Sequence, residues 1–414
     1  MTLPTFDQSA PFRWLFLDLN AYFASVEQQA NPSLRGRPVA VVQVESDNSC
    51  VIAASYEAKR TGVYTGCTVA DAKRLCPDIQ LVRANHKRYV EFHDQVVASV
   101  ETVLPVDKVL SIDELRIRLL ASEATAAVAK ALALQIKDAI YDRVGECLHC
   151  SIGIAPNAFL AKIGTELEKP NGLVLLLPTD LEDKIGHWKL SALPGINRRM
   201  TVRLNLSGIY TISQLLRASD QQLREAFGSV IGVRWYHLLR GADLPDIETR
   251  RRTLSHEHVL PPEFRTLDGC YAVMQRLTEK AAARLRREGY AARTVEFSVR
   301  GRKSKWEAHI RFGPTMDTMS FLDALRQEWP KNDITEPIKA GVVLQDLVPA
   351  GQLSLSLFDS DNNRVRLSKA ADSMNKRFGK HAVVPGGVWR AKNSAPERIA
   401  FQKTSLFDEG REVA

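Results

Sequence analysis

Chemistry in this chain concentrates at two apolar runs that end in carboxylates. In residues 12–27, Leu15, Phe16 and Leu17 lead into Asp18, and the chain then turns into a helix carrying Tyr22 and Phe23. In residues 109–114, Val109, Leu110 and Ile112 read as a buried strand that ends in Asp113 and Glu114. An Asp-Glu pair at a strand end is ordinarily a solvated turn, so the second stretch gains meaning only from the first. Charge at the end of a core strand is costly unless a partner or a metal compensates it. If the two strands are neighbours in one sheet, three carboxylates converge at its edge. Oxygen donors with no His or Cys among them suit Mg²⁺. Two such ions about 4 Å apart make a phosphoryl-transfer site, one activating the attacking oxygen and the other steadying the leaving group.

Positioning these groups falls to an α/β arrangement. Strands are expected over residues 13–20, 38–44, 50–54, 79–82, 108–120 and 147–154, and helices over 21–29, 69–75, 86–104, 122–144 and 157–168. From 180 to 241 the strands disappear. There Leu193-Pro194-Gly195-Ile196-Asn197 makes a tight hairpin between helical patterns. Such a hairpin either packs two helices or presents backbone N–H groups that hold phosphate without reading sequence. Residues 243–253 read as a linker, and Arg250, Arg251 and Arg252 near its end would track phosphates if DNA-facing modules flank it. Residues 254–347 run β-α-β-β-α-β, the ferredoxin-like order. Val295, Phe297 and Val299 share one face of a strand there, and the opposite face, with Arg300 and Arg311, is left for the DNA backbone. Beyond residue 349 come Gln352 to Phe358, a loop over 359–363, a short helix over 368–378 and a disordered end.

Length and composition agree with this division. A chain of 414 residues has room for about three domains. The net charge is +8, and residues 250–311 hold 15 Lys and Arg against 7 Asp and Glu, so one module carries the whole surplus. A concentrated basic module points to a polyanion partner. The six cysteines form no disulfide framework, and Cys147-Leu148-His149-Cys150 has C-x-x-C spacing without the second pair of a zinc site. No signal peptide or 18-residue apolar run is present, so a reduced, cytoplasmic protein with no membrane partner is expected.

Taken in order, Phe16 to Glu27, Ser55 to Lys59, Ser111 to Glu114, Ser151 to Asn157 and Lys169 to Gly172 resemble the Y family of translesion DNA polymerases of the bacterial type. No single motif is decisive, but five in this order are highly specific, and the resemblance runs from Phe12 to about residue 347. It implies an α+β, multidomain right hand. The palm would occupy 1–179 with fingers at about 28–82, a helix-hairpin-helix thumb 180–242, a linker 243–253, and a ferredoxin-like little finger 254–348. Residues 349–414 would be a tail. The resemblance further implies that Asp18, Asp113 and Glu114 hold two Mg²⁺ ions, with the Leu19 carbonyl as a further ligand. Tyr56, Lys59 and Lys169 would meet the triphosphate of a deoxynucleotide, and Phe23 would sit beneath its sugar as a gate against ribonucleotides. Lys169 also has a case of its own, as a compact cation placed to stabilise a departing pyrophosphate.

There are departures from the family pattern. Lys59 stands where an arginine is usual, Ala158 where a lysine is common, and Asn197 where the hairpin usually has glycine. Leu115-Arg116-Ile117-Arg118 replaces the usual Ala-Tyr-Leu-Asp, and on a continuing strand both arginines share a side with Glu114 and compete with metal for it. The expected activity is low-fidelity, template-directed synthesis by a monomer on primer-template DNA. The rival is a polymerase-like adaptor that binds DNA and partners without catalysis, and retention of all three carboxylates favours the enzyme. Gln352, Leu353, Leu355, Leu357 and Phe358 resemble the peptide that docks on the bacterial sliding clamp, where tethering raises effective concentration. The alternative for this stretch is a last strand of the little finger.

Overall fold

The computed structural model describes residues 11–247, 251–353 and 359–396. The chain divides into two compact units, one running to Asp246 and the other from Ile247 to Glu397.

The first unit opens with β1 (Trp14–Leu19), α1 (Tyr22–Ala30), β2 (Val39–Val42), β3 (Val51–Ala54), α2 (Tyr56–Arg60), α3 (Val69–Leu75) and β4 (Gln80–Arg83). It continues through α4 (His86–Glu101), β5 (Lys108–Val109), β6 (Glu114–Arg118), α5 (Ala126–Arg143), β7 (Cys150–Ala155), α6 (Ala158–Leu167) and β8 (Leu173–Leu175). Five strands form a sheet in the order β5-β6-β1-β7-β8, and β3-β2-β4 form a second, smaller one. β1 is buried along its whole length because helices cover both faces of the sheet. Leu15, Leu17 and Leu19 join the core that holds Tyr89, Ile136 and Ile140 of α4 and α5, while Trp14 and Phe16 join the core that holds Leu160 and Ile163 of α6. Strand alternation therefore assigns Asp18 to the α6 side. α6 lies close because Gly153 of β7 has no side chain: a Cβ there would stand 2.0 Å from the Ala161 carbonyl oxygen. Gly164 of α6 meets the Gly153 Cα in return.

The expected strand over 109–112 is corrected here. Only Lys108 and Val109 pair, Val109 is exposed, and residues 110–113 form the turn of a hairpin whose second strand begins at Glu114. The apolar residues serve the turn: Ile112 is fully buried, and the Leu110 and Ser111 amides both donate to the Glu114 carbonyl.

The helical remainder of this unit comprises α7 (Leu181–Ile185), α8 (Arg198–Leu206), α9 (Ile212–Arg217), α10 (Asp220–Phe227) and α11 (Val230–Leu239). Gly195 adopts a positive φ of 91° in the hairpin before α8, a conformation that favours glycine. Asn197 has a capping role: its side chain accepts from the Met200 amide at the start of α8.

The second unit comprises β9 (Thr253–Val259), α12 (Leu267–Arg287), β10 (Tyr290–Gly301), β11 (Lys305–Thr315), α13 (Thr318–Glu328), β12 (Pro337–Gln345), β13 (Val348–Pro349) and α14 (Asp359–Phe378). The antiparallel sheet has the order β11-β10-β12-β9, and β13 adds a short pairing to β10. Val295, Phe297 and Val299 face the core, and Arg300 and Arg311 are exposed on the other face. The loop expected at 359–363 is instead the start of a 20-residue helix. Asp359, Ser360 and Asp361 are helix-starting residue types. Tertiary bonds secure the helix further along: Ser368 binds Asp317 and the Thr318 amide, and Asp372 accepts two bonds from Arg286. Residues 386–391 then return against α12, with Val388 and Ala391 buried. The expected tail is, over 359–396, an outer layer of this unit.

Candidate active site

The antiparallel register of β1 and β6 sets Asp18 directly opposite Glu114, and the Leu19 amide donates to the Asp113 carbonyl at 2.8 Å. The hairpin turn therefore delivers all three carboxylates to one end of the central strand. Ser111 donates to Asp113 at 2.6 Å. His93, buried on α4, binds the Ile112 carbonyl through Nδ1 at 2.8 Å and holds the turn from behind. Burial raises the pKa of Asp113 and Glu114, and the neighbouring Asp18 raises both further; Ser111 opposes the shift at Asp113 and Lys162 at Glu114. Crowded carboxylates of this kind favour a cation, and their all-oxygen donor set fits Mg²⁺.

Protein cations already stand among them. Lys162 of α6 reaches Asp18, Glu114 at 2.8 Å and Glu166 at 3.1 Å. Lys169 reaches Asp18 at 2.9 Å and Glu166 at 2.8 Å. Among the described residues no group of three or more His, Cys, Asp or Glu is gathered into a metal cage. Sequence reasoning missed Lys162 and Glu166. Their signal was a charged i, i+4 pair on an otherwise apolar helix, with Lys169 three residues further on.

The residues expected to meet a triphosphate lie on the same side. Burial raises the Tyr56 hydroxyl to about 12, with Asp18 and Glu166 adding to the shift. Burial and Lys169 lower the pKa of Lys59, whose ammonium sits 4.4 Å from the Tyr56 ring centre. Lys169 is held by its turn: the Asn171 amide donates to Asn20, and Lys137 donates to Asn171. Phe23 is buried and stacked on Tyr89, with centroids 4.3 Å apart and planes at 13°. The Tyr89 hydroxyl donates to buried Glu27, and Tyr22 is core, its hydroxyl donating to the Tyr89 carbonyl. A cleft of about 460 Å³ joins Lys162 and Glu166 to the hairpin residues Leu193, Gly195 and Asn197.

Arg116 and Arg118 do not compete for Glu114. Both lie over the Trp14 ring. Arg116 makes a two-bond pair with Asp246 at 2.8 and 2.9 Å and a third bond to Asp107, and Arg118 pairs with Asp243. Trp14 donates to Asp243 as well. The arginines thus fasten the start of the linker to the strand that carries Glu114, where Asp107, Asp243 and Asp246 offer better partners than a contested carboxylate.

These features belong to a known group of enzymes. Residues 17–166 match the impB/mucB/samB family, residues 251–357 its C-terminal domain, and residues 191–243 the thumb domain of DNA polymerase iota. The chain is 32% identical over 381 residues to DNA polymerase IV of Moorella thermoacetica, covering 89% of this chain and 94% of that one. It is 31% identical over 402 residues to DNA polymerase IV of Pelotomaculum thermopropionicum, covering 91% and 97%. The chain belongs to the Y family of translesion DNA polymerases. As a Y-family member it is a DNA-directed DNA polymerase, and enzymes of this family use divalent metal ions. A solved Y-family polymerase chimera of Dbh and Dpo4 shares its fold, with a TM-score of 0.67 at 23% identity over 81% of this chain and 99% of that one.

Other expected contacts divide. Arg252, Arg300 and Arg311 are exposed, whereas Arg251 pairs with Glu288, and Arg250 lies outside the described residues. Gln352 is exposed and Leu353 packs on the second unit's core; Leu355, Leu357 and Phe358 lie outside the described residues. Cys147 and Cys150 are free thiols, and burial raises the Cys150 thiol to about 12. Among the described residues no helix is long and apolar enough to cross a membrane.

Proposed function

We propose that this polymerase copies primer-template DNA by two-Mg²⁺ nucleotidyl transfer centred on Asp18, Asp113 and Glu114. The observation that carries the reading is the register pair Asp18–Glu114 with Asp113 beside it at the hairpin turn. When bound, the two ions supply a lowered pKa at the primer 3′-hydroxyl and charge compensation at the α-phosphate and pyrophosphate. The chain's own residues hold the reactants. Asp18, Asp113, Glu114 and the Leu19 carbonyl are the ligand set. Tyr56, Lys59 and Lys169 orient the triphosphate, and Phe23, fixed by Tyr89, bars a 2′-hydroxyl. Arg252, Arg300 and Arg311 contact the DNA backbone. Lys59 gives a point charge rather than a fork, which weakens the grip on phosphate and accords with low processivity. Gln352, Leu353, Leu355, Leu357 and Phe358 dock on the sliding clamp, and the enzyme acts as a cytoplasmic monomer.

Primer extension with Mg²⁺ and four deoxynucleotides tests the assignment. Asp18→Ala, Asp113→Ala and Glu114→Ala each abolish extension while primer-template affinity stays near the parent's. Normal extension by either Asp variant removes the ligand set. Clamp stimulation that survives Gln352→Ala with Leu357→Ala and Phe358→Ala moves docking elsewhere, with residues 404–407, outside the described residues, as the next segment to test.

A further inference from the structure

The outer layer of the second unit carries a surface that nucleotide transfer does not use. Residues 359–396 contain eight Lys and Arg against three Asp and Glu. One of those acids, Asp372, is turned inward onto Arg286. Arg366, Lys369, Lys376 and Arg377 of α14 are exposed, as are Lys380 and Arg390 beyond it. The four on α14 recur at helical spacings over roughly 16 Å of axis. Two rings accompany them: Phe378 is 59% exposed and Trp389 is 61% exposed. Each has a cation at its ring, Arg377 at 5.1 Å from the Phe378 centroid and Lys392 at 3.4 Å from that of Trp389. Both rings sit on anchored elements. α14 is tied down through Ser368 and Asp372, and buried Val388 and Ala391 flank Trp389.

We propose that this layer is a binding surface for single-stranded nucleic acid, with Phe378 and Trp389 as stacking platforms and Arg366, Lys369, Lys376 and Arg377 as phosphate contacts. The charge selects a polyanion, and exposed rings set among cations select unpaired bases, whose faces are open, over a closed duplex. The template of a polymerase is such a strand. A lipid surface is the poorer partner: one side of α14 is already committed to α12 and α13, and the exposed Leu367, Met374 and Phe378 are interrupted by charge.

The test compares the full-length protein on two labelled substrates, a blunt-ended duplex and the same duplex with a long single-stranded oligothymidylate template overhang. Binding is followed by fluorescence anisotropy across a salt series. The parent binds the overhang substrate more tightly. Phe378→Ala with Trp389→Ala loses that gain, by about tenfold if one stacked base is lost, and Phe378→Trp with Trp389→Phe restores it. Lys369→Glu with Lys376→Glu lowers the salt slope on the overhang substrate by about 1.4, two single-strand phosphate contacts. Blunt-duplex affinity and extension on a short overhang stay at parental values in each variant. The proposal is overturned if the overhang gain survives both double substitutions, if blunt-duplex affinity falls equally, or if the variants lose only binding to anionic phospholipid vesicles.

Discussion

Replacing Lys162 with methionine tests the electrostatics of the site without touching a proposed metal ligand. Methionine keeps the length and apolar stem of the side chain while removing a charge that three carboxylates share. Breaking a buried ion pair from one side costs about 3–5 kcal/mol because the remaining charge is stranded. Glu114 and Glu166 each keep 31% side-chain exposure and Lys169 remains beside Asp18 and Glu166, so the cost should be nearer 2–3 kcal/mol. At about 2–4 °C per kcal/mol for a unit of this size, the chelated protein should melt about 4–12 °C lower. Divalent ions bind the same oxygens and compensate the same charge. An ion at a hundred times its dissociation constant returns about 2.7 kcal/mol. Thermal melts of parent and variant, each in chelator and in saturating Mg²⁺ or Mn²⁺, should therefore show the larger ion-induced rise in the variant. An equal rise in both proteins would refute the claim that Lys162 and the ions serve the same carboxylates.

Phe23→Ala should raise ribonucleotide insertion strongly relative to deoxynucleotide, and Tyr89→Leu should raise it about 2- to 10-fold, the worth of one aromatic stack; competition assays with paired nucleotides measure both, and an unchanged ratio in Phe23→Ala with a raised one in Tyr22→Ala moves the gate by one residue. Lowering the pH should cut divalent-ion affinity from above the usual carboxylate range, because the raised pKa values of Asp113 and Glu114 let protons compete there, and isothermal titration at several pH values checks it. His256 is held near 3 by burial and by Lys280, Arg284, Arg276 and Arg287. The unfolded chain therefore takes up a proton below about 6.5 that the folded unit refuses, and stability falls with pH by about 2 kcal/mol at pH 5; a His256→Leu variant with the same acid sensitivity as the parent would contradict this. Arg116→Ala should cost about 1–2 kcal/mol of stability and weaken the salt dependence of the linker's attachment, leaving the Lys108–Asp246 and Arg118–Asp243 pairs, read as protease cleavage near residue 247 in low and high salt.

Much of this arrangement was legible from residue order. Strand alternation at Val295, Phe297 and Val299, the helix over 86–104 and the βαββαβ order are local patterns, and each appears where its period placed it. The carboxylates were legible because acid at the end of an apolar run is conspicuous. What stayed hidden depended on distance in sequence. Ile112 looked like strand and proved to be the buried pin of a turn, since periodicity cannot separate the two over six residues. Arg116 and Arg118 looked like rivals for Glu114 because two of their three partners, Asp243 and Asp246, lie some 125–130 residues away, and the third, Asp107, sits across the hairpin nine residues before Arg116. Lys162 was lost in an apolar helix whose rotation about its axis only packing decides. Of α14 only the second half, over 368–378, was legible; Asp359 to Asn363 carry no apolar residue to mark the first half, and a few polar bonds to α12 and α13 hold the helix.

Gly153 and Gly164 decide how far Lys162 reaches, yet neither offers a side chain to remove. A truncation screen of the first unit would pass over both and credit the geometry of the site to its charged residues alone. Only a screen that adds atoms exposes them. A single methyl at Gly153 meets the Ala161 carbonyl at 2.0 Å, and at Gly164 it meets the Gly153 Cα at 3.0 Å. Either would lift α6 and its ammonium away from the sheet. The spacing of this candidate site is thus encoded partly in two blanks, and variation there would be read as silent by any method that scores only the chemistry of what is lost.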